Sequence, residues 1–262
     1  MSKDHFVSVT FLNNFVDDAQ INVKPREKLI FCFNKCLDEF LPNRSKLENI
    51  AYQCDLDGSG DFRDKLRKHE NSWTEWFNEL ISNNFTDNTY KNILSYLVLM
   101  SLNNPTQQEQ RIKNVLIGAT PEESEQLISS GNSDAQYMHM QVRDILVDYE
   151  LPYGELPLNY DELLRDRLLL LPYRIVKNQS SVPFVTSDNP IMKLDDYLFI
   201  PLSRQYALQI STTSSVQTEE LQHQTRNQGL HKLSKESDIR EINRLMKVNA
   251  KRFVYTSSID IF

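Results

Sequence analysis

The chain has 262 residues, a formal net charge of −7 and only six glycines, which is about a third of the usual glycine share. None of the glycines is spaced as in G-x-G-x-x-G, G-x-x-x-x-G-K-[ST] or G-x-S-x-G, the patterns of a Rossmann site, a P-loop and an α/β-hydrolase nucleophile elbow. No nucleotide cofactor is therefore expected, and the negative charge disfavours a broad polyanion-binding surface while leaving a local basic groove open.

The apolar runs and the cysteines indicate the cellular location of the protein. The longest apolar runs, at 93–100 and 168–171, are far shorter than the roughly 18 to 20 residues that span a bilayer. No apolar stretch of signal-peptide length follows the first residues. The three cysteines fit neither a disulfide framework nor a zinc ribbon. We therefore expect a cytoplasmic protein with no membrane partner.

The first part of the chain is predicted to be mostly helical. Residues 5–15 fit helix and strand patterns equally well, whereas 30–33 indicate a short strand. Apolar residues recur at helical spacing from 66 to 81, and a second helix is predicted at 89–102. Further helices are predicted at 107–117, 122–129 and 133–149.

The character of the sequence changes near residue 172. Runs rich in β-branched and aromatic residues, bounded by turn residues, predict the strands of one sheet at 173–176, 183–186, 197–202 and 206–211. Helices are predicted at 218–229 and 235–247, followed by a strand at 252–256. Together these elements predict an α+β fold in a single domain, helix-rich over 1–171 and β-rich with two helices over 172–262. A central helical layer is expected to pack on one face of a mainly C-terminal, largely antiparallel sheet.

One polar motif, Thr-Ser-Asp-Asn-Pro at 186–190, follows a predicted strand. Asp188 should lie at the strand exit, where a side chain can point into a cleft, and Pro190 holds the preceding residue extended. The same residue types also form ordinary Asx turns, which is their commoner use. The motif alone leaves both interpretations open.

Several motifs resemble an uncharacterised family of bacteria and fungi, the domain of unknown function numbered four-two-three-eight. The matching segments are His-Phe-Val at 5–7, Thr-Ser-Asp-Asn-Pro at 186–190, Pro-Leu-Ser at 201–203, Ile-Asn at 242–243 and Arg-Phe-Val-Tyr at 252–255. Two positions depart from the family pattern. The proline of the opening motif is Ser8 here, and an arginine before a mid-chain proline is replaced near Asn103. If that arginine binds an anion in relatives, this chain differs in specificity or is inactive.

The resemblance also selects a set of candidate site residues. A helical glutamate of the family is similar to Glu70 and a mid-chain histidine to His139, and the motifs add His5, Ser187 and Asp188. Polar groups from distant segments are costly to bury alone, so one shared cleft would explain them together. Asp188, Glu70 and His139 are the candidate ligands of a divalent metal; otherwise the set divides into acid, base and orienting roles. A buried structural network is the alternative.

This residue set favours a hydrolase acting on phosphoesters, a nuclease-like effector with nucleic acid as its substrate. The alternative is a non-catalytic module that binds another protein and whose motif residues are architectural. The sequence leaves the oligomeric state open.

Overall fold

A computed structural model describes residues 3–5, 7–50, 52–54, 60–82, 86–102, 165, 168–169, 171–194, 196–212 and 227–262. These residues include four α-helices: α1 (Val9–Leu12), α2 (Gly60–Ile81), α3 (Asp87–Leu102) and α4 (Glu236–Asn249). The strands of the N-terminal part are β1 (Lys3–His5), β2 (Leu29–Asn34), β3 (Glu39–Phe40), β4 (Ser45–Lys46) and β5 (Tyr52–Cys54). Those of the C-terminal part are β6 (Tyr173–Asn178), β7 (Thr186–Ser187), β8 (Met192–Leu194), β9 (Tyr197–Pro201), β10 (Tyr206–Ser211), β11 (Asn227–Leu233) and β12 (Phe253–Thr256).

Local sequence explains the main helices. The Thr86 hydroxyl accepts a hydrogen bond from the Thr89 backbone N–H at 3.2 Å, which caps α3 at its start. Residues 93–100 of α3 are all buried, as expected of a helix that is apolar on every side. In α4 the buried residues Ile239, Asn243 and Met246 recur every three or four positions, so α4 has only one buried face.

The strands form two five-stranded sheets and one separate pair. The first sheet has the order β11-β6-β10-β9-β8, in which only the β11–β6 pair is parallel. The second sheet has the order β3-β2-β12-β7, with β4 also paired to β2, and is antiparallel. Strands β1 and β5 pair with each other. The α+β class and the largely antiparallel pairing are confirmed.

The prediction of one C-terminal sheet is wrong. Strands β7 and β12 belong to the second sheet, where β12 pairs with β2 from the N-terminal part. Of the predicted strand at 183–186 only Thr186 pairs, as part of β7. Pro183 has no N–H, and the N–H groups of Phe184 and Val185 donate to the Arg204 carbonyl at 2.9 Å and to Asn243 Oδ1 at 3.3 Å instead. Residues 227–229, predicted to end a helix, begin β11. The predicted helices at 107–117, 122–129 and 133–149, and residues 218–226, lie outside the described residues.

The core has two parts on opposite faces of the sheets. Side chains alternate along the strands, so Ile175 belongs to the same core cluster as Trp73 and Tyr96 of the helical layer, whereas Val176 belongs to the cluster that contains Ile239 of α4. The expectation of helices on one face is therefore corrected, since α4 covers the opposite face. None of the helices in the described ranges is long and apolar enough to cross a membrane.

Candidate functional site

Ser8 connects the start of α1 to the two long helices. It is buried and is the N-cap of α1, where its Oγ accepts a hydrogen bond from the Phe11 N–H at 3.1 Å. The same oxygen is hydrogen-bonded to the Tyr96 hydroxyl of α3, and the Ser8 side chain also bonds the carboxyl group of Glu70 from α2. One arrangement satisfies all three partners: Ser8 donates its proton to Glu70 and accepts from Tyr96 and Phe11.

Burial raises the pKa values of two of these residues, Glu70 and Tyr96. Burial raises the pKa of Glu70 from 4.5 to about 7, although the nearby Arg67 guanidinium and the Ser8 hydrogen bond both lower this pKa. Burial, with the Glu70 charge beside it, also raises the pKa of the Tyr96 hydroxyl well above its ordinary value. Tyr96 therefore stays a neutral hydrogen-bond donor, while Glu70 exchanges its proton near neutral pH.

Aromatic rings pack around Tyr96 and form the apolar part of this cluster. Trp73 lies one helical turn after Glu70 on α2, and its ring centroid is 5.5 Å from that of Phe11 and 5.0 Å from that of Tyr96. The Trp73 side chain is fully buried, and its Nε1 has no hydrogen-bond partner among the described residues. Glu70 itself is only partly buried, so its carboxyl group is desolvated without being sealed off.

Of the two candidate histidines, the structure describes only the backbone of His5. His5 lies in β1, paired with Tyr52 of β5, three residues before Ser8. Its backbone therefore belongs to the segment that contacts Glu70, and its side chain lies outside what the structure describes. His139 and Asn103 lie outside the described residues.

Asp188 holds the turn between α4 and β12. Its Oδ1 accepts a hydrogen bond from the Lys251 N–H at 2.9 Å, and its Oδ2 accepts from the N–H groups of Arg252 at 2.8 Å and Phe253 at 3.1 Å. Its own N–H donates to the Phe253 carbonyl at 3.1 Å. Burial raises the pKa of Asp188, and the backbone donors partly offset this effect. Both carboxylate oxygens are thus engaged in fixing the backbone.

Ser187 is fully buried and closes the turn of its own motif. Its Oγ donates to the Asn189 carbonyl at 2.8 Å, accepts from the Asn189 N–H at 3.1 Å and lies 3.3 Å from the Met246 sulfur. These contacts are those of a serine turn, and within the described ranges none of them places a base on the hydroxyl to activate it as a nucleophile.

Two asparagines of α4 complete this network, and the sequence analysis did not select either as a site residue. Asn243 is fully buried, donates to the carbonyls of Pro183 and Ile261 at 3.0 Å each, and accepts from the Val185 N–H at 3.3 Å. Asn249 donates to the Asn189 carbonyl at 2.8 Å. The available signal was an asparagine on the apolar face of a helix, which is costly unless it is hydrogen-bonded.

The described residues do not assemble a metal site. No group of three His, Cys, Asp or Glu side chains in that part of the chain lies close enough to hold an ion. Asp188 also fits a cation poorly, because backbone N–H groups direct positive partial charge at both of its oxygens. The metal-ligand prediction for Asp188, Glu70 and His139 remains a prediction, since His139 lies outside the described ranges.

Comparisons with known proteins identify the family of the chain but no function. No curated protein matches the sequence, and no solved structure matches it. One family model, described as "Protein of unknown function (DUF4238)", matches residues 3–260. Because the match covers nearly the whole sequence, the chain belongs to the DUF4238 family of proteins of unknown function.

Proposed function

We propose that this protein is a hydrolase acting on phosphoesters, with Glu70 as its general acid or base. The observation that carries the proposal is the position of Glu70, partly buried on α2 beside the Ser8–Tyr96 pair, where burial raises its pKa to about 7. A catalytic acid or base works best when its pKa is near the operating pH. A partly buried carboxyl group with a raised pKa is also a typical feature of functional sites.

The charge beside Glu70 favours an anionic substrate. Arg67 lies three residues before Glu70 on α2, is exposed, and interacts electrostatically with the Glu70 carboxyl. A guanidinium binds phosphate oxygens through several parallel N–H bonds. Arg67 would hold the phosphoryl group while Glu70 exchanges a proton at the reacting oxygen.

Hydrolysis needs one group that accepts a proton and one that donates a proton. In the proposed reaction the water oxygen attacks phosphorus, the bond from phosphorus to the leaving oxygen breaks, and Glu70 takes the proton from the attacking water. A histidine, His5 or His139, then protonates the leaving oxygen. With nucleic acid as substrate the protein would be a nuclease-like effector. We place it in the cytoplasm, consistent with the free thiols of Cys32 and Cys36.

The test is a substrate panel with matched variants. Wild type, Glu70→Gln and the control Glu75→Gln, an exposed residue of the same helix, are assayed on RNA, single-stranded DNA and bis-p-nitrophenyl phosphate, with and without Mg²⁺, Mn²⁺ or Zn²⁺. We expect turnover by wild type and the control, and a loss of roughly a hundredfold or more in Glu70→Gln. No turnover by wild type on any substrate, or full activity of Glu70→Gln, would contradict the proposal.

A second candidate function has its own support. In a non-catalytic module that binds another protein, the motif residues are architectural, and the occupied oxygens of Asp188 and Ser187 favour that role for these two residues. This candidate predicts that Asp188→Ala lowers stability alone and that no phosphoester is cleaved. The same panel therefore separates the two functions.

A further inference from the structure

A cleft of about 650 Å³ opens where the C-terminal segment passes the first turn of α4 and the edge of β2. It lies within the 300 to 1,000 Å³ range typical of small-molecule sites. The charged and aromatic residues that line it are Asp17, Phe31, Arg44, Arg204, Glu236, Arg240 and Asp260. Neither Glu70 nor Arg67 lines this cleft, so it is separate from the site proposed above.

The acidic lining residues already have partners. Arg240 Nη1 donates to Asp260 Oδ1 at 2.9 Å and to the Phe262 carbonyl at 3.1 Å. Glu236 accepts a hydrogen bond from the Ser181 hydroxyl, and Asp17 accepts from the Ala19 N–H at 3.1 Å. Arg240 and the acids of the cleft therefore bond one another, the Ser181 hydroxyl or the backbone.

Arg204 retains an unsatisfied donor. Its Nη1 lies 3.1 Å from Asp18 Oδ2 and donates to the Val16 carbonyl at 3.3 Å. Its Nε is buried and has no hydrogen-bond partner in the part of the chain that the structure describes. The Nε is covered by protein, but the Nη2 group of Arg204 also has no partner among those residues. Because Arg204 lines the cleft, Nη2 can donate to an anion there.

Arg44 is the second arginine with donors to spare. Its guanidinium carbon lies 4.3 Å from the centroid of the Phe31 ring, a cation–π contact that holds the planar group in place. No ion pair joins Arg44 to a carboxylate among the described residues. Arg44 lines the cleft, so its N–H donors are available to a ligand there.

We propose that this cleft binds a small organic phosphate. Two guanidinium groups with spare donors, Arg44 and Arg204, match the several oxygens of a phosphate group better than a single point charge would. The Ser257 side chain adds a polar group to the lining, and Val182 and Ile259 line the cleft with apolar surface for the organic part of the ligand.

Isothermal titration calorimetry on the full chain tests the proposal, with glycerol 3-phosphate as the probe and citrate as a carboxylate probe of similar size. The variants are Arg44→Gln and Arg204→Gln, and the control is Arg26→Gln, an exposed arginine outside the cleft. Arg44 is itself exposed and its only described partner is the Phe31 ring, so Arg44→Gln should fold normally even if Arg204→Gln does not.

We expect glycerol 3-phosphate to bind, Arg44→Gln to raise its Kd about tenfold or more, and Arg26→Gln to leave the Kd unchanged. No binding of glycerol 3-phosphate, binding unaffected by Arg44→Gln, or binding of citrate alone would overturn the proposal. Because the variants leave Glu70 untouched, this result is independent of the phosphoesterase assay.

Discussion

Asp188→Ala should be one of the most destabilising single substitutions in this protein. The substitution removes the acceptor of three backbone hydrogen bonds, from Lys251, Arg252 and Phe253, at 2.8 to 3.1 Å. A hydrogen bond to a charged group contributes about 1.5–3 kcal/mol. Water can replace some of these bonds because the donors are only partly buried. We therefore expect a loss of about 3–5 kcal/mol in the free energy of unfolding, and a smaller loss in Asp188→Asn, which keeps one acceptor oxygen.

Urea unfolding followed by tryptophan fluorescence measures this loss. The control Asp196→Ala removes an exposed aspartate, and we expect a change within about 0.5 kcal/mol. If Asp188→Ala were as stable as the control, the three hydrogen bonds would contribute nothing measurable and the architectural role of Asp188 would be wrong. If it kept its stability but lost phosphoesterase activity, Asp188 would belong to the catalytic machinery instead.

The remaining predictions concern Glu70, Asn243 and the thiols. Because the folded-state pKa of Glu70 is raised from 4.5 to about 7, the native state binds the proton more tightly, and stability falls as pH rises between those values, by up to about 3 kcal/mol. Glu70→Gln should abolish that part of the pH dependence, measured by urea unfolding at pH 5 and pH 8; an unchanged slope would contradict it. Asn243→Ala should lower the free energy of unfolding by about 2–4 kcal/mol, and an effect below about 1 kcal/mol would show that its buried hydrogen bonds are dispensable. Burial raises the pKa of Cys32 to about 11, so iodoacetamide followed by peptide mass spectrometry should label exposed Cys36 well before Cys32, and equal labelling would refute the burial of Cys32.

The fold was predictable where local pattern decides structure. Strand β10 was predicted at its observed bounds, because alternating side chains of residues 206–211 pack against opposite layers of the core. The pairing of β12 with β2 was not predictable, because partners more than 200 residues apart in sequence are chosen by tertiary packing. β11 was missed because its polar residues lie at a sheet edge, where little apolar pattern is needed.

The site residues selected from the sequence stay a prediction, and the contacts that the structure gives them could not be read from the sequence. The motif at 186–190 allowed a cleft or a turn, and only the backbone donors at residues 251–253 show that Asp188 faces the protein itself. The pKa of about 7 for Glu70 results from burial of its carboxyl group. That burial depends on tertiary packing, which the local sequence does not show. Ser8 stands out in the sequence only as a departure from the proline of the family motif.

The pKa of Glu70 is the quantity on which the proposed chemistry depends. A carboxyl-detected NMR titration of wild type, with the Glu70 resonance assigned by its loss in Glu70→Gln, measures it directly. We predict a midpoint of about 7 for Glu70 in wild type. Replacing Trp73 by a small polar residue, with Arg67 retained, should admit water and lower the midpoint. A midpoint near the ordinary value of 4.5 in wild type would contradict the assignment of Glu70 as the general acid or base.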